Sequence, residues 1–440
     1  MKRWLGPARR AGWVVGDQAL SSLTNFVLGV LVARSVSAFD FGAFSIAFTS
    51  YFMMLGVSRA LATEPFVVRF PGLPDEEWRR GVRAASGSAL AVGIALGVVT
   101  VAIGLLIGGS LGTALLILGV LLPGLLLQDC WRFVFFAHRR GASAFFNDLL
   151  WAVVLLPSVA ILSAVGQASV ASLMLAWGAA AAAGAVFGIA QSRAMPQPLQ
   201  IIPWLREQRD LAPRFFGEFA VRTAGGQLGT YGIGAVVGLV AVGALRAGDM
   251  LLGPINILSL AIGMAGVPEA VRLARTNLVR FRSAAVLLSA AMVAVVVVWG
   301  GISLLLPASV GTQILGPSWA GARTLLLPLV IAQAGAAALA GPATGLRALA
   351  AAQRTLRLRV VLSVVTLVVT IASAAIGGVV AAAWTIAVMA CMGATLWWIE
   401  FHRELGARTG SAAAAAAGPG PNARLHDEDA VALSAAHPAE

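Results

Sequence analysis

Long apolar segments recur along the chain, and they constrain its fold more than any other feature. The first two lie between Gly12 and Phe70, and each is about as long as the ~20 residues that cross a bilayer as a helix. Hydrophobic residues make up 59% of the 440 residues, and charged residues only 11%. A soluble domain of this size does not have such a composition. The sequence therefore predicts an all-α polytopic membrane protein.

Twelve transmembrane helices are predicted from the apolar segments. They are 13–33, 41–63, 84–107, 112–136, 145–165, 169–191, 215–240, 249–268, 284–306, 319–345, 356–376 and 379–401, numbered here as spans 1 to 12. The connections alternate between short segments marked by glycine and longer segments rich in Arg. Because basic loops stay in the cytoplasm, this asymmetry predicts a multi-pass protein of the bacterial cytoplasmic (inner) membrane with both termini cytoplasmic.

The second half of the sequence repeats features of the first. Asp17 and Glu218 have the same separation as the dipeptides at Gly42 and Gly243, and a Pro–Gln pair at 123/128 recurs at 328/333. The Arg pair at 132/139 recurs at 347/354, with a separation ten residues larger. Six spans return a chain to the side on which it started, so the pattern favours two parallel repeats. The predicted organisation is a pair of pseudo-symmetric six-helix lobes, 1–200 and 201–402, followed by a disordered cytoplasmic tail, 403–440.

Polar side chains interrupt the apolar spans where Leu would be cheaper to insert. In spans 1 and 2 they are Asp17, Gln18, Asn25, Arg59 and Glu64. An ionised side chain at the centre of a spanning helix costs about 2.5–3.5 kcal/mol on insertion scales. One interpretation is a polar surface inside the bundle; the other is that charges near helix ends reach the headgroups.

Span 7 carries the remaining charges of this kind. Glu218 and Arg222 are four residues apart on one helix face, in the order that favours an ion pair. If these residues are functional, Arg59 and Arg222, with Gln18 and Asn25, bind an anionic substrate. The carboxylates Asp17, Glu64 and Glu218 then tune the site or carry a coupling ion. A purely structural ion pair is the alternative interpretation.

Four charged residues occupy equivalent corners of the two repeats on the predicted outer side. They are Arg34, Asp40, Arg246 and Asp249. These residues suggest a gate closed by ion pairs, although exposed pairs are usually worth less than about 1 kcal/mol each. The aromatic group at Trp131, Arg132 and Phe133 is predicted to lie in the interfacial belt.

Motifs for covalent catalysis and nucleotide binding are absent from the sequence. The two Cys and four His have no metal-ligand spacing, so no metal, cofactor or enzymatic activity is expected. The net charge of +12 is concentrated in short cytoplasmic loops between spans, which argues against a nucleic-acid partner.

Three stretches of the sequence resemble a known family. They are GDQALSSLTNFVLGVLVARSVSAFDFGAFSIAFTSYFMM, CWRFVFFAHRRGASAFFNDLLW and ALRAGDMLLGPINILS. They are similar to the polysaccharide-export (O-antigen) branch of the multidrug/oligosaccharidyl-lipid/polysaccharide (MOP) flippase superfamily. The resemblance implies two lobes in a V, a central cavity between spans 1, 2, 7 and 8, and transport by alternating access. Spans thirteen and fourteen of the lipid II branch are missing, which argues against lipid II as the substrate.

The resemblance and the polar residues together favour a flippase for an anionic lipid-linked oligosaccharide carried on a polyprenyl pyrophosphate. The expected partners are this glycan, membrane lipids and the glycosyltransferases or polymerase of a polysaccharide pathway. Two alternatives stay open. One is a cation-coupled antiporter of drugs or metabolites in the same superfamily, and the other is a non-transporting scaffold of polysaccharide assembly.

Overall fold

The fold was analysed in a computed structural model, which describes residues 2–221, 225–255, 272–273, 276–349 and 352–416. All regular secondary structure within these ranges is helical. Arg222 and the end of the predicted tail, 417–440, lie outside the described residues. We call the membrane side on which the first helix begins the terminal side and the opposite side the distal side.

The first lobe contains spans 1 to 6 as long helices. Their bounds are Lys2–Ser35, Ala38–Ser58 continued through a π-helical turn Arg59–Thr63 and a helix Glu64–Arg69, Asp75–Ile107, Gly109–Ala137, Gly141–Ala164 and Val170–Ser192. A linker with a 3₁₀ turn, Pro198–Gln200, and a short helix, Ile201–Glu207, leads to the second lobe.

The second lobe is more interrupted than the first. Span 7 comprises Ala212–Phe219 and Gly225–Val236, span 8 begins as Leu239–Leu251, and span 9 is Leu278–Leu304. Span 10 comprises Trp319–Ala338 and Ala340–Ala348, after a short helix Ala308–Leu315 and a 3₁₀ turn Gly316–Ser318. Spans 11 and 12 lie within Ala352–Ala416, which is helical on both sides of Gly377 and Gly378.

The last two spans form a hairpin at these glycines. Gly378 has a φ of 67°, in the left-handed region that glycine adopts without a steric penalty. The guanidinium of Arg359 lies 5.7 Å from the ring centre of Trp397, which requires the two arms to run antiparallel. The chain stays helical to Ala416, past the predicted start of the tail at residue 403.

Nine segments of the described chain are long and apolar enough to cross a membrane, and one of them, Leu356–Ala407, contains both arms of this hairpin. With the shorter described helices of spans 7 and 8, the predicted order of twelve spans is accounted for. The chain is therefore a multi-pass membrane protein.

Spans 3 and 4 show how small residues pack the lobes. A Cβ atom on Gly97 would lie 2.4 Å from the carbonyl oxygen of Gly119, and one on Gly119 would lie 2.7 Å from that of Gly97. Two helix backbones approach this closely only where side chains are missing. The high glycine content of the chain is thus explained in part by helix packing.

Candidate substrate and coupling site

Arg59 on span 2 is held by a two-point ion pair. Its Nε donates to Oδ2 of Asp129 at 2.9 Å, and its Nη2 donates to Oδ1 at 2.6 Å. The ring of Phe133 lies beneath the guanidinium, with its centre 4.9 Å away. The Asp129 side chain is almost fully buried, whereas 32% of the Arg59 side chain is exposed. Asp129 therefore fixes the guanidinium, while part of the Arg59 side chain stays exposed.

A π-helical turn sets the direction of Arg59. The turn covers Arg59–Thr63, and the N–H of Glu64 bonds to the carbonyl of Arg59, five residues back. Pro65 follows directly and has no N–H to donate to the residue four positions earlier. Single π turns of this kind occur frequently at functional sites. Sequence reasoning missed this turn, and the acid–proline pair at Glu64 was its only signal.

A second ion cluster surrounds Arg132 on span 4. The carboxylate of Asp17 is 3.1 Å from Nε of Arg132, and Nη2 donates to the carboxylate of Asp148 on span 5. Gln128 also donates to Asp148, at 2.9 Å. Asp17 and Asp148 are each only 1% exposed. Spans 1, 4 and 5 are therefore joined by charged contacts inside the first lobe.

The sequence analysis did not select three residues of this network: Asp129, Arg132 and Asp148. Arg132 and Asp148 lie in the second stretch that carries the family resemblance, and Asp129 directly precedes it. A lone acid in such apolar sequence was a usable signal. The predicted interfacial belt at Trp131 is wrong. Trp131 is fully buried and donates to the carbonyl of Ala185 at 3.1 Å, and its neighbours Arg132 and Phe133 serve the ion pairs.

Span 1 turns a polar face toward the second lobe. A Cβ atom on Gly29 would lie 2.7 Å from Cε of Met250 on span 8, which defines the facing side. At the helical period of about 3.6 residues per turn, Gln18 and Asn25 fall on that side. Gln18 is exposed and Asn25 half-buried, so both can contact a molecule between the lobes. Asp17 points away from this face, into the first lobe.

The remaining predicted site residues stay apart from this cluster. Glu64 is half-buried and Glu218 is exposed, and neither forms an ion pair in the described part of the chain. The pairing of Glu218 with Arg222 involves a residue outside that part. Their roles remain predictions.

On the distal side, no ion pair joins the four predicted gate residues, all of which are described. Asp40 instead accepts hydrogen bonds from Ser37 at 2.8 Å and Ser110 at 2.6 Å. Arg246 lies over the ring of Phe48, 4.8 Å from its centre, and Arg34 is exposed. The expected closure by ion pairs is therefore not what holds this side together.

Two glycines bring spans 2 and 8 into backbone contact there. A Cβ atom on Gly42 would lie 1.9 Å from the carbonyl oxygen of Leu239, and one on Gly243 would lie 2.9 Å from that of Ala38. These are the glycines that the repeat relates to each other. The distal side is thus closed by close packing between equivalent elements of the two lobes.

Asp249 lies on the wall of a cavity of about 570 Å³ inside the second lobe. The cavity is bounded by spans 7, 8, 10, 11 and 12, so it is not the central cavity between spans 1, 2, 7 and 8 that the resemblance implies. Most of its wall is apolar. The polar residues that line it are Thr230, Asp249, Gln333, Arg359, Ser363, Thr366 and Thr370. The Asp249 side chain is exposed to this space and accepts no hydrogen bond from any described residue.

No sequence-family model matches the chain, and no curated protein matches it. Solved structures do. One is the lipid II flippase MurJ in an inward closed conformation, with a TM-score of 0.69, 11% identity and coverage of 88% of each chain. Others are multidrug resistance MATE family transporters of the MOP superfamily. The inward-facing one has a TM-score of 0.62, 12% identity and coverage of 90% of this chain and 98% of its own.

An outward-facing MATE transporter gives a TM-score of 0.56 at 11% identity, covering 91% of this chain and 96% of its own. The predicted fold class is confirmed, and the polysaccharide-export branch stays a prediction. The chain has the twelve-helix, two-lobed fold of the MOP superfamily transporters.

Proposed function

We propose that the protein is a flippase that moves an anionic lipid-linked oligosaccharide, on a polyprenyl pyrophosphate, across the bacterial cytoplasmic membrane. It works by alternating access of the two lobes, makes or breaks no covalent bond, and serves surface polysaccharide synthesis. The terminal side is then cytoplasmic. The observation that carries the proposal is the Arg59 side chain in a spanning helix, held by Asp129 and still 32% exposed.

The chemistry of Arg59 suits a phosphate. A guanidinium has five N–H donors. Asp129 accepts from the N–H of Nε and from one N–H of Nη2. The free donors lie in one plane, which favours two-point contacts to phosphate oxygens. Asp129 also fixes the orientation of the guanidinium before substrate binds, which lowers the entropy cost of binding.

The polar face of span 1 supplies the sugar-binding part of the proposed site. Gln18 and Asn25 each carry an amide that donates and accepts hydrogen bonds, as hydroxyl groups of a glycan require. Arg222 on span 7 is proposed as the second cation. Glycosyltransferases and a polymerase of the same pathway are the proposed partners.

The proposal is tested by flipping of a fluorescent lipid-linked oligosaccharide in proteoliposomes. We expect Arg59→Gln to lower the initial rate at least tenfold, since a hydrogen bond to a charged group is worth about 1.5–3 kcal/mol. Arg323→Gln, which removes an exposed Arg near the distal end of span 10, is the control and should keep the wild-type rate. Equal rates for both variants would remove Arg59 from the site. Failure of the wild-type protein to flip the lipid would favour the alternative that it is a non-transporting scaffold of polysaccharide assembly.

The ion pair of Arg59 and the cluster around Arg132 together form what we call the first-lobe network. Its net negative charge favours a second candidate, a cation-coupled antiporter of drugs or metabolites. The network contains three Asp (17, 129 and 148) and only two Arg (59 and 132). An unpaired buried charge is costly, so a proton or metal cation would stabilise this network. Drug uptake driven by an imposed proton or sodium gradient, lost in Asp17→Asn, would support the antiporter over the flippase.

A further inference from the structure

The linker between the lobes is fastened to the end of span 2 by hydrogen bonds from two side chains, Trp204 of the linker and Arg69 of span 2. Trp204, only 1% exposed, donates its indole N–H to the carbonyl of Leu61 at 2.9 Å. Arg69 donates to the carbonyl of Glu207 at 2.5 Å, to Oε1 of Gln208 at 3.0 Å and to both carboxylate oxygens of Asp210 at 2.7 and 2.6 Å. The short linker helix therefore lies directly against the segment that follows Arg59.

The acceptor of the Trp204 bond is a carbonyl inside the π turn. In a regular helix the Leu61 carbonyl would receive the N–H of residue 65, and residue 65 is proline. A carbonyl that loses its donor inside a protein needs another one. The indole of Trp204 supplies it from a different part of the chain.

Beyond this contact the linker enters the second lobe at once. Phe219, at the start of span 7, packs against span 2, where a Cβ atom on Gly56 would lie 2.0 Å from its ring. Gly56 is one turn before Arg59. Linker and span 7 thus contact span 2 on both sides of the Arg59 turn, so a shift of the second lobe acts on that turn.

We propose that Trp204 is a positioning residue for Arg59. Its hydrogen bond to the Leu61 carbonyl stabilises the π turn that sets the direction of the guanidinium. The same contact makes this direction depend on the position of the second lobe. The inference rests on the proposed function for the role of Arg59, but the contact itself is independent of the substrate.

The test is a double-mutant cycle in the full-length protein in nanodiscs and proteoliposomes. Trp204→Phe keeps a buried ring and removes the N–H. Pro65→Ala restores a backbone N–H that can bond to the Leu61 carbonyl. Trp299→Phe is the matched control, because Trp299 likewise donates to a backbone carbonyl, that of Leu251 at 2.8 Å, but in the second lobe.

We expect Trp204→Phe to speed amide hydrogen exchange of residues 59–69 about three- to tenfold, the range of one net hydrogen bond. The concentration of lipid-linked oligosaccharide giving half-maximal flipping should rise by a similar factor, with an unchanged thermal midpoint. Trp299→Phe should change neither quantity. In the Pro65→Ala background, Trp204→Phe should have little further effect, because the carbonyl no longer depends on it.

Two results would overturn the inference: equal exchange of 59–69 in the Trp204 and Trp299 variants, or an undiminished Trp204 effect in the Pro65→Ala background. A failure of the proposed function is distinguishable. In that case Trp204→Phe still speeds exchange and Pro65→Ala still cancels the effect, while Arg59→Gln leaves flipping unchanged.

Discussion

The two lobes have the same order of spans but differ in what lies between the spans. Where the first lobe has charged contacts between spans 1, 4 and 5, the second has a cavity bounded by spans 7, 8, 10, 11 and 12. Gln128 and Gln333 correspond in the repeat. The first bonds to Asp148, whereas the second lines the cavity.

One pair of related positions illustrates the difference. The separation that relates Arg132 to Arg347 also relates Asp148 to Ser363. A carboxylate in the first lobe joins neighbouring spans, and a hydroxyl at the corresponding position of the second leaves space. We therefore expect the first lobe to be the more rigid of the two and the second to have room to change shape.

The largest expected effect comes from breaking the first-lobe network. Asp148→Ala removes one of the two carboxylates that pair with Arg132 and an acceptor of the buried Gln128 amide. It should lower the free energy of unfolding by about 2–3 kcal/mol, because buried donors lose an acceptor. Ser363→Ala, at the related position, should change it by less than about 0.5 kcal/mol. Thermal unfolding of the purified variants measures both. Similar losses would show that the lobes do not differ in this respect.

The glycine contact on the distal side is the place where the lobes are alike. Gly42→Ala and Gly243→Ala should each push spans 2 and 8 apart, at a cost of about 1–3 kcal/mol for overpacking. Labelling of a cysteine introduced beside this contact, by a reagent added on the distal side, should increase for both. Gly301→Ala, where an added Cβ meets no atom within 4 Å, is the control. Unchanged labelling in the two test variants would contradict a gate at this contact.

The repeat-related glutamines give a smaller and more direct comparison. Gln128→Leu leaves the Asp148 carboxylate without one of its donors and should cost about 1–2 kcal/mol. Gln333→Leu adds apolar surface to an already apolar cavity and should be neutral within about 0.5 kcal/mol or slightly stabilising. Chemical denaturation followed by tryptophan fluorescence measures the two losses. A larger loss of unfolding free energy for Gln333→Leu than for Gln128→Leu would contradict the placement of the stabilising polar network in the first lobe.

The smallest effect concerns the linker, which the structure attaches to the first lobe. Desolvation acts to raise the pKa of Asp210, but hydrogen bonds from its own backbone and from Arg69 outweigh it, and the pKa lies below the ordinary value of 3.8. The stabilisation from this pair is therefore complete above pH 3.8 and is lost as the pH falls through the lower value of the folded protein. Pepsin, which is active at acidic pH, should cleave the wild-type linker faster as the pH falls through this value. Trypsin should cleave Asp210→Asn after Arg209 faster than the wild type already at neutral pH.

The candidate site was only partly predictable. Arg59 and Asp17 were selected because a charge in an apolar span is conspicuous, and both lie in the first-lobe network. Their partners Asp129 and Asp148 are equally isolated in apolar sequence, but they were passed over because nothing in the sequence indicates which span lies beside which. Asp249 was placed at a gate on the strength of its position in the repeat, although its side chain faces an interior cavity.

The sequence by itself determined that this is an all-helical membrane protein with its spans in two repeats. Apolar length is a local property, and the bilayer requires each spanning backbone to satisfy its own hydrogen bonds. Only the tertiary structure decided that Arg59 pairs with Asp129, that Asp17 reaches Arg132 and that Trp204 bonds to the π turn. These contacts depend on the rotation of each helix about its axis and on its neighbours, which are set by packing between residues far apart in the chain.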